Sequence, residues 1–304
     1  MLKVSPLFAA VQSEWQFGDL QSSCVVQKFC VSKVRLDTLL VDRQLCTSRQ
    51  QAQRLIRAGE VRVNQQLIDK PGTEVAAEAV IEVKARSPFV SRGGEKLVKA
   101  LSEFQIPIVN RICLDAGIST GGFTDCLLQA GAARVYGVDV GYGQVAWEIR
   151  QDARVVLRER TNLRHLQPDQ LYAAAEPYAD LGVADVSFIS LTKILSALWA
   201  LLQSPREVVL LVKPQFEVGR DRVGKNGVVR DPKEQASAIA SVLQAATAQG
   251  WRYRGLTWSP LLGPAGNIEY LLWLHSEGED APDLKAIEQV THTAQQQLTK
   301  GSQG

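Results

Sequence analysis

Two charged residues end apolar runs in this sequence. Asp185 follows Leu181–Ala184 and Lys213 follows Val208–Val212. A charge at the end of a buried strand is costly unless it is paired or put to use. A third acid, Asp115, closes Ile112–Leu114 and leads into a glycine-rich turn, Gly117-Ile118-Ser119-Thr120-Gly121-Gly122-Phe123. A turn stripped of side chains lets the backbone approach a ligand. Asp139 ends the next apolar run about twenty positions on, where an acid can accept hydrogen bonds from ribose hydroxyls. Dinucleotide enzymes also use glycines here, but this turn is not G-x-G-x-x-G and an acid stands just before it. The set favours S-adenosylmethionine, whose methionine and ribose need polar partners and which carries no pyrophosphate.

Alternating strands and helices must position these residues. Strands are expected at 112–116, 134–139, 155–157, 181–186 and 208–212, with helices at 124–130, 191–202 and 234–249, and a closing β-hairpin from 253–259 and 268–274. That alternation predicts an α/β fold with a doubly wound, mainly parallel sheet. Ligands of such sheets bind at the carboxyl ends of the strands. Asn162, after the third strand, is either a cofactor contact or a polar turn residue.

A smaller unit is expected over 33–84. Arg35-Leu36-Asp37-Thr38-Leu39-Leu40 has helical apolar spacing, and Ser48 with Gln51 three positions later reads as a capping box. The helix that follows ends at Gly59, and short strands come after it. From Lys33 to Arg92 there are eleven basic and seven acidic residues, about +4 where the whole chain is +2. Most of the acids follow the helices, which leaves Arg49, Arg54 and Arg57 on a basic helical face suited to phosphates.

The remaining composition mostly excludes. Hydrophobic residues are 45% and charged residues 22%, as in an ordinary globular protein. No apolar run is long enough to span a bilayer. The five cysteines form no Cys-x-x-Cys pair and the three histidines fit no ligand spacing, so unpaired thiols and no metal are expected. Met1–Cys30 lacks a secretory pattern, which points to a cytoplasmic location. Residues 1–32 have no period and are expected to be a disordered extension, or to precede a true start near Val31. Residues 85–95 are expected to be a linker, in which Pro88 and the Gly93-Gly94 pair prevent a continuous helix before one begins at Glu95, and 277–304 a tail. Oligomeric state is not readable.

Two resemblances rest on these residues. Arg35-Leu36-Asp37, Ser48-Arg49 with Ala52, and Ile56-x-x-Gly59-x-Val61-x-Val63-Asn64 resemble an S4 RNA-binding domain, an α+β module. Asp115-Ala-Gly117-x-Ser119-Thr120-Gly121-Gly122-Phe123, Asp139-Val140-Gly141, Asp185-Val186-Ser187-Phe188, Lys213-Pro214-Gln215-Phe216-Glu217 and Gly266-Asn267-Ile268-Glu269 resemble the TlyA family, hemolysin-named relatives of FtsJ-type rRNA 2′-O-methyltransferases. Ala116 and Ile118 depart from the usual turn pattern by small or apolar changes.

This resemblance implies a Rossmann-like class I methyltransferase domain over 96–276, with S-adenosylmethionine bound by Asp115, Gly117, Ser119, Thr120, Gly121, Gly122, Phe123, Asp139, Val140 and Asn162. It also implies a catalytic tetrad of Lys96, Asp185, Lys213 and Glu269. A ribose 2′-hydroxyl is a poor nucleophile, and lysine serves as a base only when its environment favours the neutral amine. Lys213 is therefore expected to be the base, oriented by Asp185 and Glu269, while Lys96 helps hold the ribose. The implied partner is ribosomal RNA or a ribosomal subunit. Contacts to it are expected from Arg35, Arg49, Arg54, Arg57 and Arg92, and from Arg220, Arg222 and Lys225 in a basic, glycine-rich loop after Lys213. A non-catalytic RNA-binding assembly factor would predict loss of the tetrad or of the cofactor turn. A pore-forming hemolysin would need a membrane-active stretch, and none is visible.

Overall fold

A computed structural model describes residues 32–84, 88–219 and 222–300, and the chain divides into two compact units after Ala85. The expectations for residues 1–31 and for Arg220 fall outside the described residues.

The first unit runs β1 (Lys33–Arg35), α1 (Leu36–Asp42), α2 (Arg49–Arg57), β2 (Val61–Val63), β3 (Gln66–Leu67), β4 (Glu74–Ala76) and β5 (Ile81–Val83). Strand β2 pairs antiparallel with β3 and β5, and β1 pairs with β4. Leu36, Leu40, Ala52, Ile56 and Val61 are fully buried between the helices and strands. At roughly 1.5–3 kcal/mol per large side chain, this burial is the main favourable term for so small a body. The capping box is only half formed. Ser48 Oγ accepts from Gln51 N, but the Gln51 amide oxygen reaches back to Thr47 N instead of Ser48 N.

The second unit runs α3 (Gly93–Glu103), β6 (Ile112–Ala116), α4 (Gly122–Gln129), β7 (Arg134–Val138), α5 (Trp147–Gln151), β8 (Val155–Arg158), α6 (Pro168–Leu171), β9 (Ala179–Ala184), α7 (Leu195–Leu201), β10 (Leu202–Val212), α8 (Pro214–Glu217), α9 (Pro232–Thr247), β11 (Arg252–Trp258), β12 (Tyr270–His275) and α10 (Leu284–Lys300). Among the described residues its strands form one seven-stranded sheet in the order β11-β12-β10-β9-β6-β7-β8. Strands β6 to β10 are parallel, and β12 runs antiparallel to both β10 and β11. The α/β, doubly wound fold with a closing hairpin is as expected.

Side chains alternate between two apolar layers with the period of a strand. Cys113, Val135, Leu181, Val183, Val209 and Leu211 pack with Leu97, Phe123, Leu127 and Ile149 from α3 to α5. Leu114, Tyr136, Ala184, Leu210 and Val212 pack with Leu195, Leu198, Ile239 and Ile287 from α7, α9 and α10. The chain winds outward from β6 through β7 to β8, then returns to β9 on the other side of β6. The carboxyl ends of β6 and β9 therefore flank a switch point, where a crevice must open.

Local structure departs from expectation in four places. The stretch expected as linker is part of the second unit from Pro88 on: Val90 N donates to Asp125 at 2.8 Å, and α3 already begins at Gly93. Gly94 does not break that helix. A Cβ there would stand 2.2 Å from the Phe89 ring, so glycine is needed for close packing. The helix expected at 191–202 is a 3-10 turn, Leu191–Lys193, followed by α7. The expected tail contains α10, which packs on α9 and places Ile287 and Ala294 in the core.

Candidate active site

The glycine-rich turn crosses the carboxyl end of β6 in a conformation that only glycine adopts freely. Gly117 has φ +88°, and a Cβ there would lie 2.7 Å from the Asp185 carbonyl oxygen. Gly117 N donates to Val138 O, Asp185 N donates to Ala116 O, and Ser119 N donates to Asp139 Oδ2 at 2.8 Å. Asp139 Oδ1 accepts from Gly141 N at 2.7 Å. The ends of β6, β7 and β9 are thus fastened together by the turn and by one carboxylate.

Three adjoining cavities open there. One of about 440 Å³ is lined by Ser119, Asp139, Val140, Asn162, Asp185 and Phe188, among others. A second of about 340 Å³ has Arg92, Lys96, Thr120, Gly122 and Phe123 on its wall. These two share Gly117, Ser119 and Asp185. A third of about 370 Å³ holds Lys213, Phe216, Asn267 and Glu269, and shares Ser187 and Phe188 with the first. Asn162 Oδ1 caps the following turn by accepting from Arg164 N, and the residue also lines the first of these cavities.

Two residues expected to bind the cofactor stand behind the cavity walls. Gly121 turns the chain into α4 at φ +101°. Asp115 is completely buried; its Oδ2 accepts from the Thr124 hydroxyl at 2.7 Å, while Oδ1 has no partner among the described residues. Burial, with smaller contributions from the charges of Asp185 and Asp139, pushes the Asp115 carboxyl up to about 7.

The four expected catalytic residues converge, but as two ion pairs. Lys213 Nζ lies 2.6 Å from Asp185 Oδ1 and donates to Ser187 Oγ at 2.7 Å. Lys96 Nζ lies 2.5 Å from Glu269 Oε2, with both side chains nearly buried. Glu269 thus pairs with Lys96, where it was expected beside Lys213, and no ion pair between Glu269 and Lys213 occurs among the described residues. Gly263 makes room for this pair, because a Cβ there would meet Glu269 Oε1 at 2.7 Å.

Ser187, Gly263 and Asn267 were not singled out from the sequence, although Ser187 and Asn267 lie inside the quoted motifs. Asn267 accepts from Val229 N and donates to Gly227 O, fastening the far end of the basic loop beside Glu269. The loop's Arg222 pairs with Glu234 at 3.0 Å and contacts Ser237, and Lys225 is exposed. Glu217 is also engaged: its carboxylate accepts from Leu191 N and the Ser190 hydroxyl, and burial raises it above its ordinary value.

Comparison with known proteins places both units in known families. Residues 89–276 match the FtsJ-like methyltransferase model and residues 34–81 the S4 domain model. A protein of Mycobacterium tuberculosis named 16S/23S rRNA (cytidine-2′-O)-methyltransferase TlyA is 47% identical over 264 residues, 86% of this chain and 97% of the relative. Hemolysin A of Brachyspira hyodysenteriae is 40% identical, over 78% of this chain and 98% of its own. A solved structure described as a hemolysin from Streptococcus thermophilus is 38% identical, with a TM-score of 0.70 over 90% of this chain and 100% of its own.

Proposed function

The chain belongs to the FtsJ-like methyltransferase family and carries an S4 domain, and on that premise we propose that it methylates cytidine 2′-hydroxyls of ribosomal RNA with S-adenosylmethionine. The observation that carries this reading is the Lys213–Asp185 pair, set on the walls where the three cavities adjoin.

The residues present fit such a cofactor. The Gly117 position is a cradle that any Cβ would fill, and one buried oxygen of Asp115 has no partner among the described residues. Asp139 is the candidate for the ribose, through the lone pairs its two backbone contacts leave free. Asn162 and Val140 would border the base, and Ser119, Thr120, Gly122 and Phe123 the methionine end. When bound, S-adenosylmethionine supplies an electrophilic methyl group.

The chain's own work is orientation and proton handling. Lys213 Nζ would accept the proton of the 2′-hydroxyl as that oxygen takes the methyl group, whose bond to the sulfonium sulfur breaks to leave a neutral thioether. Asp185, at 2.6 Å, fixes the amine and neutralises the ammonium that results. Ser187 holds the same nitrogen from a second side. The Lys96–Glu269 pair joins the walls of two of the cavities without adding net charge. Holding hydroxyl and methyl in line removes much of the entropic barrier, an effect worth ~7–11 kcal/mol in favourable systems.

RNA contact is assigned to Arg35, Arg49, Arg54 and Arg57 in the first unit, and to Arg92, Arg222 and Lys225 in the second. The Arg222–Glu234 pair is solvent-exposed and worth ~0–1 kcal/mol, so a phosphate can displace the carboxylate. Among the described residues no helix is long and apolar enough to cross a membrane, and no cluster of three metal-ligating side chains occurs. The test is transfer of labelled methyl to rRNA transcripts and ribosomal subunits, with mapping of the modified riboses. K213A should keep cofactor affinity and lose transfer at least about a thousandfold, within the span general-base catalysis covers. Methylation of a base instead of a ribose, or full activity in K213A, would sink the assignment.

A further inference from the structure

Two arginines of the first unit are held unlike its others. Asp37, the second residue of α1, has a completely buried carboxylate. It accepts from Arg35 Nε at 3.1 Å and Nη2 at 3.0 Å, from Arg49 Nε at 2.9 Å, and from the Gln53 side-chain amide at 3.0 Å. Arg35 reaches over from the end of β1, Arg49 opens α2, and Gln53 lies one turn further along it. The single buried anion therefore ties a strand and two helices to one point.

The arrangement has more charge than stability requires. A buried carboxylate needs a cation and good hydrogen bonds, and Arg35 with Gln53 already supplies both. Arg49 makes the cluster net positive, and both arginine side chains stay about half exposed, at 49% and 56%. Each guanidinium meets Asp37 through its inner edge. Arg35 Nη1 and both terminal nitrogens of Arg49 have no hydrogen-bond partner among the described residues. The Arg35 hydrogen bonds, then those from Gln53 and Arg49, hold the Asp37 carboxyl well below the usual carboxylate range, so the anion persists at any physiological pH. Arg54 and Arg57, by contrast, are exposed and have no ion-pair partner among the described residues.

We infer that Asp37 is a positioning residue that presents Arg35 and Arg49 as a fixed pair of guanidinium forks for phosphates of an RNA backbone. Guanidinium forks match phosphate oxygens bidentately, and a fork already immobilised loses less side-chain entropy on binding. The inference rests on the RNA reading above and adds a residue whose own charge has the wrong sign for RNA.

That sign gives the test. D37N in the full-length chain removes a negative charge beside a polyanion and keeps both arginines, so a surface acting by charge alone would bind rRNA transcripts more tightly. We expect D37N to bind 16S and 23S rRNA transcripts about tenfold more weakly, with the slope of log affinity against log salt smaller by ~1–2. R35A/R49A should lose a similar amount, and adding D37N to it should change affinity less than about twofold. R35K/R49K keeps every charge and cannot form the forks; it should also bind several-fold more weakly, which covers the case of a D37N chain that fails to fold. Tighter or unchanged binding by D37N, or unchanged binding by R35K/R49K, would overturn the inference alone. Failure of the unaltered chain to bind either transcript would overturn the RNA reading together with it.

Discussion

Asp115 is a carboxylic acid at the centre of a folded domain, and it carries a pH dependence. Its side chain is fully buried and one oxygen has no partner among the described residues; burial above all favours the neutral form, which titrates at about 7. An unfolded aspartate titrates near ~3.9. Between those values the native chain holds a proton that the unfolded chain has released. Stability of the catalytic unit therefore falls as pH rises from about 4 to about 7, then levels off, a loss on the order of a few kcal/mol. D115N should abolish that slope and gain most at pH 8, as read by the melting temperature of the ligand-free protein across pH. An unaltered slope in D115N would show that another group is responsible. Sequence alone placed Asp115 before the turn and allowed either a cap or a ligand contact. Thr124 takes one oxygen, as a cap requires, and the second keeps no partner among the described residues.

Elements were legible where the period was clean. The strands read at 112–116 and 134–139 follow from their apolar residues, whereas β10 begins at Leu202, well before the apolar run read at 208–212. Pairings across the chain were not legible. Lys96 and Glu269 are 173 positions apart, and nothing in the residues themselves says that they bond to each other instead of one holding a ribose and the other orienting Lys213. Gly94 shows the same limit, since a glycine that breaks a helix and one that admits Phe89 have the same sequence signature. Gly117 is where local conformation and long-range packing meet, and G117A separates them. The substitution imposes a left-handed backbone cost of ~1–2 kcal/mol and drives a methyl group into the Asp185 carbonyl. It should displace the β9 end that carries Asp185 and Ser187, and weaken cofactor affinity at least about tenfold by calorimetric titration. Gly143, at φ +73° with open space around its Cβ position, is the control. G143A should bear a similar conformational cost and leave cofactor affinity within about twofold. Equal effects from the two variants would mean that strain, not the close approach to Asp185, matters at the turn.

At the scale of the whole molecule, the proposed function assigns the chemistry to the second unit and much of the grip on RNA to the first. The cavities, both ion pairs and both apolar layers of the sheet are built from residues beyond Ala85. The Asp37-centred arginines lie wholly before it. A chain of residues 86–304 should therefore melt cooperatively and bind S-adenosylmethionine as the full chain does. Its KM for ribosomal RNA should rise at least about tenfold, because a tethered RNA-binding unit acts by raising local concentration. Its kcat at saturating RNA should stay within a few-fold, since lost uniform binding appears in KM and not in the chemical step. Steady-state transfer to rRNA transcripts measures both constants. A collapse of kcat in the truncated chain would show that the first unit helps assemble the reacting geometry, and the division into gripping and reacting parts would have to be abandoned.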